Sequence, residues 1–389
     1  MTTHGEVAPG FEPVRKAFEA QATEMGEGGA AFAVYRGEEK IVDLWDGFAR
    51  PGEQWTSETV SLLYSSSKVA AGIVAMLAHD RGQLEFDVPV ARYWPEFAAD
   101  GKDGITVRHV LAMQAGLPWV PDFEGFLLPD GPGWDDVEAI ERRLAGSAPQ
   151  VAVGVPCYHP VTFGFLVNAV VRRATGRQLK DIWNRDVAEP LGLDLFLGGP
   201  PDVVARMAAL YDAEFSIPLP PGSVMANSFH LADGQASIFD RLADYGANPA
   251  HLRGGVASSD MVGTAESLAR LYAMLVNGGS FNGVTILSPE ALAAFTTVQS
   301  TEPDAAWAEV GDTGPSSWML GGIEGNRWFF LLQGLLYGPN PRSYGKAGAG
   351  GQYGFADPER RLAVGFLRSH LTLTSPLYPH LVDALYSCL

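Results

Sequence analysis

Ser65-Ser66-Ser67-Lys68-Val69-Ala70-Ala71-Gly72-Ile73-Val74-Ala75-Met76-Leu77-Ala78-His79-Asp80-Arg81-Gly82 sets three serines and a lysine at the mouth of an apolar run that ends in glycine. Apolar on nearly every side, the run from Val69 reads as one buried helix with Gly82 as its stop. A Lys68 ammonium in such a helix loses hydration, so its pKa falls toward a range where the amine accepts a proton from a hydroxyl. Ser65 stands three residues before Lys68 and shares its helix face, whereas Ser66 and Ser67 point elsewhere. The positive end of the helix dipole also favours a developing alkoxide. The stretch thus has the form of an activated nucleophile, Ser-x-x-Lys. An ordinary N-cap before a core helix has the same composition, so the tetrapeptide alone leaves both readings open.

Outward from this helix, residues 10–25 carry an amphipathic helical pattern, and Ala30 to Trp45 read as two strands around an Arg36-Gly37-Glu38-Glu39 turn. Tyr353 to Leu367 form a second hairpin turning at Asp357-Pro358-Glu359-Arg360, and a helix from about Pro376 closes the chain. Between these ends helical patterns dominate, at 107–113, 136–144, 163–175, 180–187 and 265–276. The fold class expected is α+β: an antiparallel sheet with terminal helices from residues 1–67 and 276–389, and an inserted, mainly helical domain over 68–275. Proline- and glycine-rich segments at 117–134 and 216–223 interrupt the helical part. The first carries Trp119, Phe123 and Phe126, as a wall or lid over a site would.

A chain of 389 residues, 47% of them hydrophobic, can bury a full core. Its net charge of −18 argues against nucleic acid or an anionic membrane surface as partner. Met1 to Val7 show no basic segment leading into an apolar one, and no apolar run is long enough for a bilayer span. Cys157 and Cys388, distant and without a partner motif, fit a reducing compartment, so the cytoplasm is the expected location. No internal repeat or low-complexity tract is visible. His79, His109, His159, His230, His251 and His370 form no H-E-x-x-H or Cys/His cluster, so neither a metal nor a cofactor is expected. Gly278-Gly279-Ser280-Phe281-Asn282 fails as a G-x-S-x-G elbow at its last position, which leaves the histidines structural rather than members of a triad.

Beyond the helix come Gly82-Gln83-Leu84-Glu85-Phe86-Asp87 and Ile105-Thr106-Val107-Arg108-His109-Val110-Leu111, then Cys157-Tyr158-His159-Pro160, Gly254-Gly255-Val256-Ala257-Ser258-Ser259 and Gly345-Lys346-Ala347-Gly348-Ala349-Gly350-Gly351. In this order they resemble the serine β-lactamase-related family, in particular its class C-like esterases, the family VIII carboxylesterases. The resemblance implies the β-lactamase/penicillin-binding-protein-like fold, with the site between sheet and helical domain. It also implies that Tyr158, matching the tyrosine of the family's Y-x-N element, faces Ser65. A phenol between the ammonium groups of Lys68 and Lys346 would ionise more easily. Whether tyrosinate or neutral Lys68 takes the Ser65 proton is left open.

Lys346-Ala347-Gly348 occupies the place of K-T-G, where the glycine admits close backbone approach by substrate. The resemblance makes the amides of Ser65 and Ala349 the oxyanion hole, where a donor is commonly worth about 3 kcal/mol. Pro160 stands where asparagine is usual, and Ala347 lacks the threonine hydroxyl that helps hold the carboxylate in penicillin-recognising enzymes. Both departures favour neutral esters, with Trp119, Phe123 and Phe126 as candidate pocket walls. The implied activity is hydrolysis of a small-molecule ester through an acyl-serine, without cofactor. Its rivals on the same site are acyl transfer, D-amino-acid peptidase or weak β-lactamase activity, or a penicillin-binding sensor that acylates and stalls. The sequence does not indicate an oligomeric state.

Overall fold

The two hairpins read from opposite ends of the chain meet edge to edge. The computed structural model describes residues 3–20, 22–120, 134, 136–212, 219–229, 242–329, 332–372 and 375–389. Its main sheet comprises β1 (His4–Val7), β2 (Gly29–Arg36), β3 (Glu39–Arg50), β4 (Glu53–Gln54), β5 (Glu324–Gly325), β6 (Tyr344–Gly348), β7 (Gln352–Asp357) and β8 (Leu362–Arg368). The strand order is β1-β3-β2-β8-β7-β6-β5, with β4 beside β3, and every pairing is antiparallel. The β2/β8 seam, with Val34 opposite Val364, joins the N-terminal and C-terminal hairpins. Gly37 makes the first turn at a φ of 64°. In the second turn the Asp357 carboxylate accepts from the amides of Glu359 and Arg360.

Strand alternation gives the sheet two unlike faces. Phe32, Val34, Val364 and Phe366 point to one side, where helices α1 (Glu12–Ala20) and α5 (Leu377–Ser387) pack together. Each such side chain contributes roughly 1.5–3 kcal/mol by burial. Ala31, Ala33, Ala363 and Gly365 point the other way, onto helix α4 (Ala265–Val276). Small residues there let the helix backbone reach the sheet: a Cβ on Gly365 would lie 2.2 Å from the Ala265 carbonyl oxygen. Helix α4 lies inside the stretch expected to be the helical domain, yet it packs on the sheet.

Helix α2 (Lys68–Asp80) is the central element and is buried from Lys68 to Ala78. It packs against α3 (Thr162–Thr175) and against the Leu320–Gly322 turn, where Gly72 and Gly321 bring two backbones together. The other helical patterns fold much as read, at Val107–Leu111 and Val137–Ala145. The 180–187 pattern becomes a short α-helix, Leu179–Ile182, running into a π-helical turn, Trp183–Ala188. A separate three-stranded sheet was not legible: Ser61–Leu62 and Leu195–Leu197 both pair with Met261–Gly263. Strands of two or three residues carry no periodicity to read. Among the described residues, no helix is long and apolar enough to cross a membrane.

Candidate active site

The three serines open α2 through a single 3-10 turn, Tyr64–Ser67, and each has a separate task. Tyr64 holds a φ of 46°, uncommon for a residue with a side chain, and its hydroxyl is anchored on the Leu242 carbonyl at 2.7 Å. The Ser66 hydroxyl donates to the Lys346 carbonyl of β6 at 2.8 Å, and the Ser67 hydroxyl accepts from the Met261 amide at 3.0 Å. Both are fully buried ties between the turn and neighbouring strands. Ser67, the N-cap of α2, makes no side-chain capping bond, so the ordinary cap reading of this stretch falls away. Ser65 is left facing the cavity.

Lys68 has no exposed surface. Its Nζ donates to the carbonyls of Pro160 at 2.7 Å and Ser258 at 2.8 Å, and its remaining contact is the Ser65 Oγ at 3.2 Å. Burial, with the neighbouring Lys346 charge adding to it, holds the Lys68 pKa well below the usual lysine range. A neutral amine keeps two N–H groups for the two carbonyls and one lone pair for the third direction, which is Ser65. The Tyr158 hydroxyl meets the same Oγ from the other side at 2.7 Å.

Tyr158 is clamped between Trp307 and Trp318, with ring centroids 5.9 and 5.3 Å away and planes within 15°. Asp304 fixes this stack: its carboxylate accepts from the Trp318 indole at 2.7 Å and from the Trp307 amide at 3.0 Å. The expected easy ionisation of Tyr158 is not what this environment produces. Burial pushes the phenol up, and although Lys68 and Lys346 stand 5.3 and 4.9 Å from its ring centroid, the closer of these cations is already neutralised by a carboxylate. Burial thus works against the phenolate and favours the protonated Tyr158 hydroxyl.

That carboxylate is Glu324, on the edge strand β5. Its Oε1 accepts from the Lys346 Nζ at 2.7 Å and its Oε2 from the Arg327 Nε at 3.1 Å, while Arg327 continues to Asp312. Ser65, Tyr158, Glu324, Lys346, Ala347 and Ala349 all line one cavity of about 110 Å³, and Gly348 and Pro160 line it too. A Cβ on Gly348 would meet the Leu63 carbonyl oxygen at 2.2 Å, so glycine is what lets β6 run against the serine turn. Trp119 is half-buried and does not line this cavity, and Phe123 and Phe126 lie outside the described residues. Its apolar walls come from Trp134, Phe229, Leu242, Trp307, Phe329 and Leu336.

A family model described as Beta-lactamase matches residues 14–376. The chain belongs to the Beta-lactamase family. It is 30% identical to the esterase/beta-lactamase LipL of Mycobacterium tuberculosis, over 96% of this chain and 84% of that one. The crystal structure of a family VIII carboxylesterase is 30% identical with a TM-score of 0.84, and a penicillin-binding protein homologue from Caulobacter crescentus is 31% identical with a TM-score of 0.82. Each covers the whole of both chains. The fold is thus the β-lactamase/penicillin-binding-protein-like fold, and the protein is a serine hydrolase.

In this Beta-lactamase-family chain the histidine beside Tyr158 is structural. His159 donates from Nδ1 to the Cys157 carbonyl at 2.6 Å and accepts at Nε2 from the Leu117 amide at 3.0 Å, and burial lowers its pKa to about 4. Cys157 is a packed thiol whose pKa burial raises. Glu324, Arg327, Trp307 and Trp318 escaped the sequence reading. The signal available was slight, an acid and a base three residues apart in Gly321-Gly322-Ile323-Glu324-Gly325-Asn326-Arg327.

Proposed function

We propose that this serine hydrolase is a carboxylesterase acting on short-chain neutral esters through an acyl-enzyme on Ser65. The observation that carries the reading is the three-way setting of the Lys68 Nζ, with two carbonyls as acceptors and Ser65 Oγ in the remaining direction. Neutral Lys68 takes the Ser65 proton as Oγ attacks the ester carbonyl. The amides of Ser65 and Ala349 hold the oxyanion. Tyr158 gives its proton to the departing alkoxide and is replenished from Lys68. Water then attacks the acyl carbon, its proton returning by the same groups, and Ser65 leaves with a proton restored. No cofactor enters these steps.

Neutrality of the substrate is supported by the wall of the cavity. Ala347 offers no hydroxyl, Pro160 no side-chain amide, and the Lys346 ammonium is taken by Glu324. The names of LipL and of the family VIII structure, an esterase/beta-lactamase and a carboxylesterase, agree with ester chemistry on this scaffold. Steady-state assays with p-nitrophenyl acetate, p-nitrophenyl butyrate and nitrocefin test the proposal. Sustained turnover of the esters with higher kcat/KM than nitrocefin is expected. An ester burst of one equivalent without turnover would mean a stalled sensor, and nitrocefin equal to or above the esters would mean a β-lactamase.

A further inference from the structure

Glu324 and Lys346 face each other in the cavity wall with 4% of each exposed, and the chain of charges continues through Arg327 to Asp312. Two cations and two carboxylates in one row, buried except for a partly exposed Arg327, sum to zero. An entering carboxylate would therefore find Lys346 engaged at 2.7 Å and the Glu324 charge beside it. Like charges at close quarters in a site shielded from water repel strongly. Glu324 is held there by two charge-assisted hydrogen bonds, which, against the cost of burial, leave its pKa lowered and the group ionised.

We infer that Glu324 is a specificity-determining residue: by occupying Lys346 it rejects substrates that carry a carboxylate and reserves the site for neutral esters. The inference rests on the esterase reading above and assigns its selectivity to one side chain. The chemistry rejected is an anionic group either in the acyl arm, as in a dicarboxylic acid half-ester, or on the leaving side, as in a β-lactam. Specificity of this kind is a difference between two affinities, so the quantity to measure is a ratio.

The test compares kcat/KM for 4-nitrophenyl hydrogen glutarate and for nitrocefin with that for p-nitrophenyl butyrate, in wild type, Glu324→Gln and the double variant Glu324→Gln with Lys346→Met. Gln keeps the shape and releases Lys346, so the ratio of at least one anionic substrate to the neutral ester should rise about tenfold or more, chiefly through KM. The double variant removes both charges and should return the ratio to within about threefold of wild type. An unchanged ratio in Glu324→Gln, or a parallel fall for all substrates, overturns the inference. Should Glu324→Gln not fold, the double variant decides alone. A ratio tenfold below wild type would show that Lys346 already serves carboxylates. A wild type that turns over none of the neutral esters would instead remove the esterase reading itself.

Discussion

At Ser65 the decisive fact is which hydroxyl remains free once the packing has used the others. Ser66 and Ser67 are spent on Lys346 and Met261, so only Ser65 has both Lys68 and Tyr158 within hydrogen-bond reach. Ser65→Ala should abolish acylation by a phosphonate or sulfonyl fluoride, read by mass spectrometry of the intact protein. Ser66→Ala should keep ester turnover within about tenfold while losing about 1–2 kcal/mol of stability, since the Lys346 carbonyl loses a buried donor. A label on Ser66 or Ser67 would sink this assignment. In the proposed mechanism Lys68 acts as the neutral amine, and burial depresses its pKa, so kcat/KM for a neutral ester should rise with pH through a midpoint below the ordinary lysine value of about 10.4. Tyr158→Phe should lower kcat about 10²–10⁴-fold with little change in KM. A variant of wild-type rate would take tyrosine out of the proton path.

Elements, not residues, hold these groups in place, and two glycines separate the contributions to site and to stability. Gly348→Ala would push β6 off the serine turn, because its Cβ meets the Leu63 carbonyl oxygen. A displacement of that order next to reacting atoms costs about 10² in rate. Gly365→Ala pushes α4 off the sheet, and no residue of α4 lines the cavity, so it should cost about 1–3 kcal/mol in a denaturant titration with kcat per folded molecule nearly unchanged. Equal effects of the two on rate would contradict this division. The same scale explains what the sequence could and could not disclose. The hairpins, α2, α3 and α4 were legible because their apolar periodicity is local, as were Ser65 and Lys68, which lie on one turn. Glu324 reaches Lys346 only because β5 pairs with β6, and Trp307 and Trp318 flank Tyr158 only because the fold brings the short helix Ala305–Ala308 and the bridge at Trp318 back to it from far along the chain. The Tyr158 environment was misjudged for the same reason: two cations were anticipated, but the burial and the Glu324 countercharge that outweigh them depend on tertiary packing.

Across the whole molecule, buried tyrosines and Lys68 set opposite slopes of stability against pH. Burial raises the pKa of Tyr64, Tyr158, Tyr272, Tyr337, Tyr353 and Tyr378. Each retains in the folded state a proton that the unfolded chain loses near pH 10, so its contribution is complete below about pH 10 and is lost as the pH climbs toward the raised folded value. Lys68 is depressed, so the folded state binds fewer protons than the unfolded one, and stability rises with pH between its folded pKa and about 10.4. Above pH 10 the raised tyrosines, Tyr35, Tyr344 and Tyr386 among them, outweigh the depressed lysines Lys68, Lys102 and Lys346, which add no further slope beyond about 10.4. Stability should therefore hold or improve on the way to about pH 10 and then fall steeply, with the absorbance of these buried phenols' tyrosinates appearing together with loss of circular dichroism rather than before it. Esterase activity, rising as Lys68 deprotonates, should end at this unfolding edge and not at a titration of Tyr158. Parallel pH series of rate, melting temperature and tyrosinate absorbance test the point. Activity that declines while the protein remains folded, in step with ionisation of a single tyrosine, would show instead that a phenol proton is lost from the working site.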